Sequence, residues 1–156
     1  MGQLPNRRHP HRLSSDVYRT ERRPISLSIR AKEGSCPLIP DLAPAIIEVL
    51  HDRAQRFGLV LYGYCIMPNH LHLMCSAASE GSDFETFLKR FKSEVTRRAA
   101  RLGYVGFRWQ RSYWDRHARV EEDVRAALQY ILDNPVRKGL CQHWEEWPWT
   151  RFLGWP

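Results

Sequence analysis

The stretch Leu59-Val60-Leu61-Tyr62-Gly63-Tyr64-Cys65-Ile66-Met67-Pro68-Asn69-His70-Leu71-His72-Leu73-Met74-Cys75 decides the fold. From Leu59 to Met67 it is rich in aliphatic and aromatic residues that favour strands, Pro68-Asn69 interrupts it, and His70 to Cys75 resumes an extended pattern. Two antiparallel strands joined by a tight connection are the simplest reading. In the second strand, residues two apart share a face, so Leu71 and Leu73 enter a core while His70 and His72 converge on the other side. Two imidazoles aimed at one point have the geometry of metal ligands, and two hydrogen-bonded sheet histidines would show the same spacing. A second H-x-H, His9-Pro10-His11, lies in a basic, proline-containing stretch that offers no rigid strand to hold a ligand pair.

Working outward, Ile25-Ser26-Leu27-Ser28-Ile29 alternates apolar residues with serines at the period of a half-buried strand. After the link Pro37 to Pro40, Asp41 is placed to cap a helix carrying Ile46, Ile47, Leu50, Ala54 and Phe57, with Gly58 as its stop. Downstream, Ser82-Asp83-Phe84-Glu85 matches a capping box, and Phe84, Phe87, Leu88, Phe91 and Val95 follow at helical spacing. The other side of that helix carries Lys89, Lys92, Arg97, Arg98 and Arg101. Phe107 to Trp114 is aromatic and basic together and reads as a further strand, and a third helix runs from about Glu121 to Asn134. The order β, α, β, β, α, β, α predicts an α+β, ferredoxin-like split βαβ fold, an antiparallel sheet with helices on one face and the last helix packed near the histidine strand. Residues 1–23, rich in Arg, His and Pro, read as a flexible basic arm, and residues 24–156 as a single domain.

The chain has 156 residues, a formal net charge of +7 and a pI near 9.6. Of its 24 basic residues only Lys32, Lys89, Lys92 and Lys138 are lysines, which leaves 20 arginines, the side chain whose planar fork suits phosphates and guanine edges. Nucleic acid heads the partners such a surface favours, although a GC-rich genome produces the same arginine bias. Cys36, Cys65, Cys75 and Cys141 form no C-x-x-C pair and are expected to be reduced thiols, and neither a secretory signal nor a membrane-spanning run is legible. A soluble cytoplasmic protein is expected.

The third helix adds a candidate nucleophile. At 100° per residue, Val124, Leu128 and Ile131 form the core stripe, while Tyr130 and Asn134 project together from its flank. Tyr130, beside the small Ala126 and Ala127, is open to a bulky DNA backbone, and Asn134 has an amide oxygen to offer a metal. The same residues also suit a packing tyrosine at a helix edge and a helix terminator before Pro135.

Four phrases carry a resemblance: Tyr64-Cys65-Ile66-Met67-Pro68-Asn69-His70-Leu71-His72-Leu73-Met74, Trp109-Gln110-Arg111-Ser112-Tyr113-Trp114-Asp115, Tyr130-Ile131-Leu132-Asp133-Asn134-Pro135-Val136-Arg137-Lys138-Gly139-Leu140 and Trp147-Pro148-Trp149-Thr150. Together they closely resemble the REP-associated tyrosine transposases, relatives of the IS200/IS605-type single-tyrosine transposases in the HUH endonuclease group. The resemblance implies a histidine pair on a central strand, His70 and His72, a catalytic tyrosine, Tyr130, and Asn134 completing a divalent metal site, with Mg or Mn as the metal. It further implies single-stranded DNA bearing hairpins as partner, cut and rejoined through a 5′-phosphotyrosine without ATP. The first strand, Arg23 to Arg30, departs from the family in lacking an aromatic-rich opening. Arg97, Arg98, Arg101, Arg111, Arg116, Arg137 and Lys138 are candidate phosphate contacts, and Trp109, Tyr113 and Trp114 candidate stacking surfaces for bases. Two rival readings are a domesticated hairpin-binding protein without turnover and a metal-dependent hydrolase that activates water. Both a monomer and a homodimer are compatible with the sequence.

Overall fold

A computed structural model describes residues 23–117 and 121–156, together with Asp16 and Tyr18. Its elements are β1 (Ile25–Ala31), α1 (Ala43–Arg56), β2 (Leu59–Met67), β3 (His70–Ala77), α2 (Phe84–Arg101), β4 (Trp109–His117), α3 (Glu121–Leu132), α4 (Asn134–Arg137) and β5 (Thr150–Phe152). The strands form one antiparallel sheet in the order β4-β1-β3-β2-β5, so β3 is central. This is the expected α+β architecture. The short edge strand β5 was not anticipated, since three residues are too few to show a period.

Side-chain alternation divides the sheet into two different faces. Leu71, Leu73 and Cys75 of β3 join Ile25, Leu27 and Ile29 of β1 in a core closed by Ile46 and Leu50 of α1 and by Phe87, Phe91 and Val95 of α2. The opposite face holds a smaller cluster in which Cys65, Met67 and Met74 pack against Val124, Leu128 and Ile131 of α3. Helix α3 touches β2, β3 and β5 there. The β1 and β4 side of that face lies outside those packing contacts, which explains the serines at positions 26 and 28.

Local signals were partly displaced. Asp41 does not cap α1, whose N-cap is Leu42 with no side-chain bond; its carboxylate accepts from the Tyr104 hydroxyl instead. The cap of α2 is Asp83, which accepts from the Thr86 backbone N–H at 3.0 Å, while the Ser82 hydroxyl donates to the Gly58 carbonyl at 2.5 Å. The last helix ends at Leu132, two residues early, and a one-turn helix restarts at Asn134. Most of the arm expected over residues 1–23 lies outside the described residues, as does His9-Pro10-His11. Tyr18 within it is buried, stacks on Phe84 with ring centroids 4.5 Å apart and donates a hydrogen bond to Asp115. All four cysteines are free thiols, and no helix among the described residues is long and apolar enough to cross a membrane.

The register of β2 on β3 shifts between Leu61 and Gly63, and a Cβ built at Gly63 would lie 2.8 Å from Leu128 Cδ1 and 3.1 Å from the Arg151 carbonyl oxygen. Helix α3 therefore seats on the strand only because position 63 has no side chain. Gly63→Val is expected to destabilise the protein by about 1–3 kcal/mol through overpacking, a drop of roughly 3–10 °C in a thermal melt followed by circular dichroism.

Candidate functional site

On the α3 face of the sheet one cross-strand row runs Trp114, Ser28, His72, Cys65 through β4, β1, β3 and β2. The next row pairs Arg30 of β1 with His70 and Met67. The histidines thus sit mid-sheet, two residues apart on one face, with their ring centroids 4.7 Å apart and their planes perpendicular.

Hydrogen bonds orient both rings. His70 Nδ1 meets the Asn69 side-chain oxygen at 2.6 Å, which leaves the Nε2 lone pair directed at the amide of Asn134, 3.3 Å away. His72 bonds to the Leu27 backbone. Burial is the main cause that lowers His70 from its ordinary 6.5 to about 3, reinforced by the charges of His72, Arg30 and Lys138. Burial likewise lowers His72 to about 4, with Arg30 and Arg137 adding to it and the Leu27 bond opposing it. Both imidazoles are neutral at physiological pH, the form in which histidine binds a metal.

These groups fit a divalent cation. Two neutral imidazoles converge, and a 180° turn of the Asn134 amide would present its oxygen where the nitrogen now stands, atoms that differ little in shape. Asn69 would be the outer partner that fixes the ring of His70. Among the described residues no group of three His, Cys, Asp or Glu side chains gathers to hold a metal, so any further ligands beyond the imidazoles come from an amide, water or a bound oxyanion.

Beside the histidines a cleft of about 720 Å³ opens over the bare part of the sheet. His72 and Tyr130 both line it, with Ser26 and Ser28 on its floor and Trp114 and Asp123 among its walls. Tyr130 is 59% exposed, whereas Asn134 is 3% exposed. The expected flank pair is therefore split by the break at Asp133: Asn134 turns inward to His70 and Tyr130 faces the cleft. Arg137 links the two. Its guanidinium lies 3.5 Å from the centroid of the Tyr130 ring and donates to the Tyr130 carbonyl at 2.6 Å, and it ends the helix that Asn134 begins.

The sequence model of the family described as "Transposase IS200 like" matches residues 32–134, which contain His70, His72, Tyr130 and Asn134. The chain belongs to this family. It is 28% identical over 111 residues to the REP-associated tyrosine transposase of Escherichia coli (strain K12), covering 71% of this chain and 62% of that protein. A Haemophilus influenzae protein is also 28% identical, over 108 residues, covering 63% of this chain and 61% of the relative. The chain thus spans somewhat under two thirds of the length of these curated relatives. A solved REP-associated tyrosine transposase bound to a REP hairpin superposes with a TM-score of 0.71 at 17% identity, covering 96% of this chain and 82% of that one, a likeness of fold.

Within this family member the remaining candidates separate. Trp114 and Arg116 line the cleft, Arg137 lies on Tyr130, and Lys138 is close enough to His70 to act on its charge. Trp109 packs on Phe91 and Phe107, and Tyr113 is buried near Phe84, so these two rings belong to the other face. Arg111 is exposed on β4. Arg97 and Arg98 lie on α2, across the sheet from the histidines, paired with Glu94 and Glu48; Arg101 is exposed on the same helix. Sequence reading missed Arg30, Asn69 and Asp123 as site residues. Arg30 was legible, because it continues the Ser26, Ser28 alternation onto the histidine face.

Below about pH 6.5 an unfolded chain protonates both imidazoles, whereas the native chain, with values near 3 and 4, does not. This contribution to stability is therefore full above pH 6.5 and is lost as pH falls toward 4 and 3, by up to about 1.4 kcal/mol per pH unit for each ring. Urea unfolding between pH 4 and 7 is expected to show a shallower pH slope in a His70→Gln, His72→Gln double variant than in the parent.

Proposed function

We propose that this protein nicks and rejoins single-stranded DNA at hairpin-associated sites, with Tyr130 as the nucleophile. The observation that carries the proposal is that an exposed Tyr130 and His72 line one cleft, beside a buried His70 and Asn134 in contact. Membership in a transposase family, and the hairpin held by a protein of the same fold, support this reading.

In the proposed reaction the Tyr130 hydroxyl oxygen bonds to the phosphorus of a phosphodiester as the bond from phosphorus to the 3′ oxygen breaks. The phenol proton is lost, and the departing oxygen gains a proton to become a 3′-hydroxyl. The 5′ end is left as a phosphotyrosine, and attack by a 3′-hydroxyl on that ester reverses the step and joins strands, so one ester replaces another and no ATP is consumed. A free tyrosine, with a pKa of about 10, is a weak nucleophile and needs activation. His70, His72 and Asn134 would hold a divalent ion, Mg or Mn, which when bound polarises a nonbridging phosphate oxygen. Arg137 covers one face of the Tyr130 ring, limiting the orientations from which its hydroxyl can attack. Arg30, Arg137 and Lys138 surround the histidines with positive charge, as a pentavalent, doubly charged phosphorane-like transition state requires.

The deciding experiment incubates the protein with hairpin-bearing single strands and Mn²⁺ and separates the products on a denaturing gel. A covalent protein–DNA adduct is expected with the parent and none with Tyr130→Phe or after chelation of the metal. Adducts that persist in Tyr130→Phe would reject the assignment, and hairpin binding without any adduct would favour a binding protein without turnover.

Charge placement gives a separate expectation. Arg30→Ala and Lys138→Ala should each reduce the slope of log affinity against log salt by about 1, whereas Arg97→Ala and Arg98→Ala, across the sheet and already ion-paired, should leave it unchanged. Binding titrations at several salt concentrations measure this directly.

A further inference from the structure

The cleft has a second wall that the nicking reaction does not use. Trp114 projects from β4 on the histidine face, is 46% exposed, and has no aromatic partner among the described residues. Between it and His72 in the same row stands only Ser28, and Ser26 follows one row on, so small hydroxyl side chains leave an open floor beside a bare indole face. Asp123, in the first turn of α3, lines the same cleft, as do the small Ala126 and Ala127 of that helix.

Asp123 is the unexpected member. In a chain of net charge +7 that is to accept a polyanion, a carboxylate lining the substrate cleft repels phosphates. Among the described residues Asp123 has no ion-pair partner, whereas Glu121 in the same turn is bridged to Arg125 at 3.4 Å. A carboxylate is an acceptor only, so what it can favour in a nucleic acid is an N–H of a base edge. A planar apolar wall and a carboxylate acceptor in one cleft, whose volume exceeds that of a base, describe room for a base beside the sugar-phosphate chain that Tyr130 attacks, with Arg116 of the same cleft suited to the phosphates of that chain.

We propose that the space between Trp114 and Asp123 is a nucleobase slot, in which an unpaired base stacks on Trp114 and donates its exocyclic amino group to the Asp123 carboxylate. Cytosine, adenine and guanine each carry such an amino group, whereas thymine has none and its one ring N–H, at N3, stands between two carbonyl oxygens that the carboxylate repels, so thymine is held less tightly. The base must be unpaired, because in a duplex that amino group is already engaged and the ring face is covered. The inference rests on the reading of the protein as one that acts on single-stranded DNA. It adds a reader of base identity next to Tyr130, so that the choice of scissile phosphate depends on a neighbouring base as well as on a hairpin.

Cytosine and thymine are of similar size, and cytosine carries at ring position 4 the amino group where thymine carries an oxygen, in addition to their differences at N3 and C5, which makes them the discriminating pair. Fluorescence anisotropy with the full chain carrying Tyr130→Phe, so that no covalent product forms, compares hairpin-bearing strands whose unpaired flank is oligodeoxycytidylate or oligothymidylate at one salt concentration. The deoxycytidylate strand is expected to bind about tenfold more tightly. Asp123→Asn, which can both donate and accept, should bring the two affinities close together, and Trp114→Ala should weaken binding of the deoxycytidylate strand by about tenfold. Equal affinity in the parent, or a preference that survives Asp123→Asn, overturns the slot while leaving the nicking reaction standing. Failure of the parent to bind either strand overturns the single-stranded DNA reading and the slot with it.

Discussion

The constraint on which the structure turns is the strict alternation of β3. Because successive side chains of a central strand point to opposite faces, Leu71 and Leu73 anchor the main core while His70 and His72 are carried to the other side. A slip of one residue in the pairing of β3 with β1 and β2 would exchange the two sets and bury the imidazoles among leucines and phenylalanines. The register is held from both neighbours, and the apolar ring set of α1 and α2 rewards only one of the two choices. The site geometry is thus a by-product of the same packing that makes the protein fold.

The second face is built on a different principle. It is only partly roofed, since α3 rests on β2, β3 and β5, and its packing depends on the absence of a side chain at Gly63. What α3 leaves uncovered becomes the cleft. A large apolar residue in place of Ser26 or Ser28 would extend the smaller core and close the opening, so the alternation of Ile and Leu with Ser in β1 records two environments in one strand. Burial of the histidines on this half-covered face also keeps them uncharged, which a fully open surface would not do.

The fold was legible because its long elements have strong periods: β1 alternates, α2 repeats its phenylalanines at helical spacing, and the β2–β3 hairpin is punctuated by Pro68-Asn69. The positions of His70 and His72 on one face followed from period two alone. Caps were less legible, since Ser82 and Asp83 compete for the same helix start and only the chain reversal at Gly58 decides which hydroxyl or carboxylate is free to cap. The flank shared by Tyr130 and Asn134 failed for a related reason. A helical wheel assumes an unbroken helix, and the restart at Asn134 swings the amide inward while leaving the phenol outside. Trp109 and Tyr113 against Trp114 show a further limit: adjacent aromatics in a strand look equivalent in sequence, yet parity sends two to the core and one to the cleft.

Helix α4 is one turn long, and it starts on His70 through Asn134 and finishes on Tyr130 through Arg137. A single turn has no slack to absorb a displacement, because the backbone N–H groups of Arg137 and Lys138 donate to the carbonyls of Asp133 and Asn134, and the Arg137 guanidinium donates to the Tyr130 carbonyl near the end of α3. Any rotation of the Asn134 backbone is therefore transmitted to the guanidinium that lies on the phenol. Insertion or deletion of a residue between positions 130 and 137 would uncouple the two halves even with every named side chain retained, so the spacing of the turn matters as much as the residues on it.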